Sequence, residues 1–309
     1  MKQALTGKLS GVAVRPAVKR TSLRKHLVYF AFVSPALLLF TLIIVLPFFR
    51  AILFSFQDWD GISSNIEWAG WDNYSTLLHD KAFLKSFLFT LKYVAVGTIL
   101  VNVAGFFLAF ALNFALKSKN ILRTVYFMPH VIGPLIIGFI WQFIFTQVFP
   151  NLADLTGWGI FEKSWLAMPN YAFWALIIVN VWYTAGYLMV IYIAALQGVS
   201  PDLLEAAEID GANSWQRLWF MVLPLVRPAI TICLFLAITN GFKVFDLNFA
   251  LTKGGPFGST ESLALQIYQD AFSNNQYTLA STKAIIFFVV LASITLIQVF
   301  VMKRKEVEM

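Results

Sequence analysis

Two groups of charged residues interrupt an otherwise apolar chain. The first is Glu205-Ala206-Ala207-Glu208-Ile209-Asp210-Gly211-Ala212, closing at Leu223-Pro224. The second is Lys243 and Asp246, three residues apart. Neither group assembles a reaction centre. Carboxylates beside two alanines and a glycine suit protein docking, because a slim helix face lets a partner approach closely. Lys243 and Asp246 could share a helix face and pair. Ionisable groups within a membrane segment mark function by default; the competing reading is that the helix ends early and both are wet.

The chemistry that these residues exclude is equally informative. No Gly-x-x-x-x-Gly-Lys-Ser/Thr loop occurs, so the chain carries no P-loop to cradle a nucleotide. His26, His79 and His130 lie far apart, without metal-ligand spacing. Neither His-Glu-x-x-His nor Gly-x-Ser-x-Gly is present. The single cysteine, Cys233, excludes an intrachain disulfide and argues against a thiolate cluster. No metal or cofactor is expected on this chain.

The elements that must position these groups are membrane helices. Of 309 residues, 59% are hydrophobic and 13% charged, against about 25% charged in soluble chains. A bilayer core about 30 Å thick needs roughly 20 apolar residues of helix. Charge-free runs at 27–49, 93–116, 124–149, 164–201 and 284–302 meet or approach that length, and a further run from Pro228 is interrupted by Lys243 and Asp246. The expectation is an all-α membrane protein with six transmembrane helices. At 1.5 Å per residue from Pro228, the two charges fall roughly 20–27 Å along their helix, in its outer half.

Lysine and arginine set the orientation. Arg15, Lys19, Arg20, Arg24 and Lys25, then Lys117, Lys119 and Arg123, then Lys303, Arg304 and Lys305 fall on one side of six spans, so both termini are expected to be cytoplasmic. The opposite loops hold Asp58, Asp60, Glu67, Asp72 and Asp80, then Asp154 and Glu162, although Lys81, Lys85 and Lys163 share that side. The net charge of +7 is thus mostly positive-inside bias. No basic soluble domain offers a nucleic-acid footprint. The first run is too long for a signal-peptide core and no small-residue cleavage site follows it, so it reads as a retained span. The organisation expected is a basic cytoplasmic tail over 1–26 resting on anionic headgroups of the bilayer, a membrane domain over 27–302 with a cytoplasmic loop at 198–227, and a short cytoplasmic tail over 303–309. The first outer loop, rich in tryptophan, is expected to lie at the membrane surface. Gly97, Gly105 and Ala109 suit close helix contact. Pro129, Gly133, Pro134 and Gly138 predict a kinked third segment packed on its neighbours, with His130 bonded to carbonyls freed at the break.

Within the cytoplasmic loop, Ser200 reads as an N-cap and Pro201 as the first helical residue. Asp202 and Glu205 lie where the helix dipole favours carboxylates. Gly211 permits the left-handed turn that ends the helix. A second short helix follows from about Asn213 to Val222, and Pro224 and Pro228 punctuate re-entry into the membrane. On composition alone this is an amphipathic elbow lying on the bilayer, with Trp215, Trp219 and Phe220 at the interface.

The spacing resembles something more specific. Glu-Ala-Ala, three residues, Gly, nine residues, a hydrophobic position, one residue and Leu-Pro is the signature of permeases of binding-protein-dependent importers of the ATP-binding-cassette class. Met221 stands where Ile or Val is usual, Leu218 where Phe is common, and Trp219-Phe220 replaces a more polar pair. Phe245-Asp246-Leu247, then Leu251-Thr252-Lys253-Gly254-Gly255-Pro256 and Thr260-Glu261, with Tyr126-Phe127-Met128-Pro129 and Trp141, is similar to the carbohydrate branch, and within it to the first of the two permeases of maltose-type and multiple-sugar importers. The chain lacks the additional N-terminal spans and large outer insert of the maltose protein.

The resemblance implies a type I importer permease fold in a prokaryotic cytoplasmic membrane. It implies a second permease, an ATPase dimer that binds ATP and Mg, an extracytoplasmic solute-binding protein and a sugar as partners. Glu205, Ala206, Ala207, Asp210, Gly211, Leu223 and Pro224 would couple the chain to the ATPase. Tyr183, Thr184 and Tyr187 before the loop, and Asn240, Gly241 and Val244 after it, would line the sugar path. A tyrosine ring can pack on a pyranose face while its hydroxyl bonds the sugar. The alternative reading is a stand-alone secondary transporter or channel, which needs a mid-membrane ion site; Asp246 is the one acidic candidate for it. A membrane enzyme ranks last.

Overall fold

The computed structural model describes residues 23–59, 61, 63–113 and 118–304. Most of the expected basic tail, Asp60, Lys117 and the segment from Lys305 lie outside the described residues. The chain is helical almost throughout: α1 Val28–Phe54, α2 Asp72–His79, α3 Lys81–Asn113, α4 Lys119–Ile132, α5 Pro134–Thr156, α6 Pro169–Gln197, α7 Pro201–Ile209, α8 Ser214–Leu225, α9 Arg227–Phe242, α10 Asp246–Leu251, α11 Leu263–Phe272 and α12 Tyr277–Lys303. A two-residue antiparallel pairing, Gln57–Asp58 with Glu67–Trp68, shapes the loop after α1. Among the described residues, those to Arg50 belong to one compact unit, which contains most of α1; those from Ala51 belong to a second, which contains the core and sites below.

Five helices, α1, α3, α5, α6 and α12, are long and apolar enough to span a bilayer. The sixth expected run, from Pro228, falls on α9, which is too short to pass as a span by itself. Helix α9 has 16 residues and meets α8 at a 70° bend. The expected third span, 124–149, is also divided: Gly133, at φ 93°, ψ 150°, separates α4 from α5. That conformation is open to glycine and costly for other residues, and Pro134 lacks the N–H that would continue α4.

Prolines shape three helices in one way. Among the described residues, five-residue π turns occur at Thr41–Val45, Ile144–Val148 and Leu218–Val222. Each ends two residues before a proline: Pro47, Pro150 and Pro224. The residue just before each proline donates five residues back, Leu46 to Thr41, Phe149 to Ile144 and Leu223 to Leu218. A proline ring clashes with the carbonyl four residues earlier in a regular helix; the wider turn relieves that clash and keeps the backbone paired, as membrane burial demands.

Helices α3 and α6 pack along much of their lengths, where glycines allow close approach. A Cβ on Gly105 would lie 3.0 Å from the Leu188 Cβ, and one on Gly97 would lie 3.4 Å from the Asn180 amide nitrogen. Ala109 is buried on the same helix. The Tyr192 hydroxyl donates to Asn102 Oδ1 at 2.7 Å across this pair. Buried apolar clusters flank it, one around Tyr93, Phe145, Leu176 and Leu247, the other around Val101, Leu188, Tyr192 and Cys233.

Candidate functional sites: an exposed elbow and a polar cavity

The elbow is built by two caps. Helix α7 begins after Ser200 with Pro201 at N1. Ser200 holds the N-cap position but its hydroxyl makes no capping bond. At the other end Gly211, at φ 83°, closes a Schellman turn: the Gly211 N–H donates to Glu208 O at 3.0 Å, and the Ala212 N–H to Ala207 O at 2.9 Å. Helix α8 then starts with a capping box that the sequence reading missed. Asn213 Oδ1 accepts from the Gln216 N–H at 2.9 Å, and Gln216 Oε1 accepts from the Asn213 N–H at 2.8 Å. The Asn-x-x-Gln spacing was its available signal. An Arg217–Glu208 ion pair ties α8 back to α7.

The predicted docking residues fall into three places. Ala206, Ala207, Asp210 and Gly211 come together around an open hollow of about 450 Å³, which Leu203, Phe220 and Met221 complete. Glu205 is exposed outside that hollow, whereas Ala207 is buried within the elbow. Leu223 and Pro224 lie beyond the π turn, at the approach to the 70° bend. Ile209, at the tip of α7, is 86% exposed.

The second site is a cavity of about 400 Å³. It gathers Tyr183, Thr184, Tyr187, Asn240 and Val244 from the predicted path, and both predicted charges, Lys243 and Asp246. His130 and Asn180 join them. Gly241 does not line it. A Cβ there would lie 3.3 Å from Val94 Cγ2, so Gly241 serves the packing of α9 on α3. The Thr184 hydroxyl donates to Asn180 Oδ1 at 3.3 Å. The His130 ring lies parallel to Tyr187, with centroids 4.5 Å apart and 9° between planes, and 4.9 Å from Tyr183. Beside this stacking, His130 has a hydrogen-bond interaction with the Tyr183 backbone, so its backbone partner lies on the neighbouring helix α6.

Lys243 and Asp246 do not share a helix. Helix α9 ends at Phe242, Lys243 is its C-cap, and Asp246 opens α10. Both are exposed, and no ion pair joins them among the described residues. This is the wet alternative left open by the sequence. The intervening break is held by a hub around Asn248 and Ser262, which flank the Leu-Thr-x-Gly-Gly-Pro motif. Asn248, fully buried, donates to Thr252 Oγ1 at 3.0 Å and Thr260 O at 2.8 Å, and accepts from the Ser262 N–H at 3.0 Å. Ser262 Oγ donates to Val244 O at 2.7 Å, and the Leu263 N–H donates to Thr90 Oγ1 on α3 at 2.9 Å. Lys253, Gly254, Phe257 and Gly258 take left-handed conformations around this hub.

A buried ion pair lies elsewhere. Lys283 Nζ on α12 is 2.7 Å from Asp270 Oδ2 on α11 and 3.6 Å from Asp80 Oδ2, and Lys283 is 2% exposed. Spacing could not reveal it, because its members occupy different elements.

The sequence of residues 101–307 matches the family model described as binding-protein-dependent transport system inner membrane component. The chain is 42% identical over 283 residues to the probable starch degradation products transport system permease protein AmyD of Thermoanaerobacterium thermosulfurigenes, covering 91% of this chain and 96% of that protein. It is 34% identical over 261 residues to the multiple sugar-binding transport system permease protein MsmF of Streptococcus mutans, covering 84% and 90%. Its fold matches a chain in the crystal structure of a bacterial ABC transporter involved in the import of the acidic polysaccharide alginate, with a TM-score of 0.80, 21% identity and coverage of 91% and 96%.

Proposed function

Because this chain belongs to the family of binding-protein-dependent transport system inner membrane components, we propose that it is the permease subunit of an ATP-driven importer of a di- or oligosaccharide. It sits in a prokaryotic cytoplasmic membrane with both termini inside. There it pairs with a second permease of the same family, two copies of an ATP-binding-cassette ATPase and an extracytoplasmic solute-binding protein. ATP and Mg belong to the ATPase, since the sequence has no P-loop. The stand-alone transporter considered above gives way to this reading.

The observation that carries the coupling role is the elbow. A capped helix presents alanines around an open hollow, with an isoleucine at its tip almost wholly uncovered. Closure of the ATPase dimer would draw this elbow toward its counterpart, and α8 and α9 would carry the displacement to the cavity. A carbohydrate cargo is supported by the names of two relatives, which transport starch degradation products and multiple sugars. The cavity's chemistry agrees with it. Tyr183 and Tyr187 offer ring faces, while Thr184, Asn180 and Asn240 offer hydroxyl and amide partners.

The test is uptake of maltotriose into proteoliposomes that hold the chain with its second permease and ATPase. Uptake should require ATP inside and the binding protein outside. Uptake by the purified chain alone, driven by an ion gradient, would overturn the proposal.

A further inference from the structure

We propose that His130 is a specificity-determining residue of the cavity, competing with the sugar for the ring face of Tyr187. This rests on reading the cavity as the sugar path. Three observations carry it. First, the imidazole lies flat on Tyr187 with ring centroids 4.5 Å apart and contacts Tyr183 at 4.9 Å, so one residue engages both tyrosine rings of the cavity. A pyranose cannot enter a stack already in contact; to pack on the face of Tyr187 that His130 holds, it must move His130 aside.

Second, the stack is set by a backbone contact. Gly186 on α6 is pressed against the Tyr126 carbonyl of α4, where any Cβ would collide. Tyr187 follows Gly186, and His130 stands one turn beyond Tyr126, so the register that this glycine permits delivers the imidazole onto the phenol ring. Third, His130 has somewhere to go. It lines the cavity of about 400 Å³ itself, and α4 ends two residues later at Ile132, where Gly133 breaks the helix.

The consequence is selection by ring face. A pyranoside offers the flat C–H surface that can replace an imidazole on tyrosine, and an acyclic polyol does not. Removing the imidazole should tighten sugar binding, whereas a residue that serves packing alone would weaken binding when truncated.

The experiment measures binding of radiolabelled maltotriose to the assembled, purified transporter without the solute-binding protein, so that only the membrane site is titrated. His130→Ala should lower Kd by roughly two- to tenfold, the range set by an aromatic pair. His130→Phe keeps a stacking ring and should stay within about twofold of the wild type. An unchanged or raised Kd in His130→Ala overturns the proposal, as does absence of binding by both proteins in a transporter that imports maltotriose. Should His130→Ala fail to assemble, His130→Cys with Tyr187→Cys on a Cys233→Ser background decides. Maltotriose should slow oxidative bridging of that pair, and bridging indifferent to the sugar overturns the inference. A wild-type transporter that imports no maltotriose instead strikes the functional reading, and this inference falls with it.

Discussion

Replacing Gly211 with alanine should weaken the coupling of ATP hydrolysis to uptake without removing the protein from the membrane. Gly211 sits at φ 83°, and a Cβ there meets nothing within 4 Å. The cost is therefore conformational alone, about 1–2 kcal/mol for an L-residue in the left-handed region. Two hydrogen bonds depend on that conformation, from Gly211 to Glu208 and from Ala212 to Ala207. If the cost falls on the turn, the population with α7 correctly closed drops by about five- to thirtyfold relative to competing turns. In proteoliposomes this should appear as fewer sugars imported per ATP, with subunit assembly retained. Gly211→Asn should be milder, since asparagine tolerates this region best among residues with a side chain. Gly157→Ala supplies the control. Gly157 caps α5 at φ 67°, also with nothing within 4 Å of a Cβ, but lies away from the elbow. It should lose similar stability and keep its coupling. Equal coupling ratios in Gly211→Ala and Gly157→Ala would refute the reasoning.

Three further outcomes are expected. Lys283→Met leaves Asp270 buried without its cation and should destabilise the protein by about 3–5 kcal/mol; thermal unfolding in detergent should show the loss, with Asp270→Asn in the same chain recovering much of it. Gly186→Ala should abolish stable assembly, because its methyl group meets the Tyr126 backbone, whereas Gly105→Ala, 3.0 Å from a Leu188 side-chain atom, should cost less; detergent melting temperatures rank the two. Burial raises the Glu261 carboxyl above its usual range, opposed by the Ser86 hydroxyl and by Lys85 and Lys283, with Asp270 adding to the rise. A raised carboxyl pKa gives stability that is complete below the unfolded value near 4.5 and fades as pH climbs through the folded one. Glu261→Gln should therefore gain on the wild type as pH rises through that window, and a stability difference independent of pH would contradict the assignment.

Much of this was legible in the residues. Charge-free runs located five spans because lipid leaves the backbone few choices. Gly211 announced its turn because left-handed backbone so favours glycine. Tyr183, Thr184, Tyr187 and Asn240 meet at one cavity because helices either side of the elbow fold back on each other. What failed was continuity. The sequence left open whether α9 runs on through Lys243 to Asp246 or ends before them, so it could not decide whether the two charges pair, and it put Gly241 on the path instead of against Val94. The Leu-Thr-x-Gly-Gly-Pro motif, which served only to suggest a family, is tied through Thr252 and Gly255 to Thr260 and Asn248, the hub from which Ser262 reaches the break at Val244. Lys283 and Asp270 escaped because nothing local links them. His130 was seen, but its stacking partner depends on the fit of Gly186 to Tyr126, and a contact between separate helices leaves no mark on spacing.

The breaks themselves suggest how an elbow could speak to a cavity. Helix α9 runs between two of them, the 70° bend after Leu225 and the C-cap at Lys243. At 1.5 Å per residue its 16 residues make a rod of about 24 Å. One end joins α8 and the elbow; the other presents Asn240 and Lys243 to the cavity. Gly241 seats that far end on Val94 of α3, and Thr231 and Gln298 link its near half to α12. A six-span bundle of uninterrupted helices would spread a push at the elbow over long packed surfaces. A short rod broken from its neighbours at both ends would carry that push to the cavity as one body. On the proposed function, the deviations from regular helix are therefore the mechanical parts, and the prolines and glycines that produce them are as much functional residues as the tyrosines that would touch the sugar.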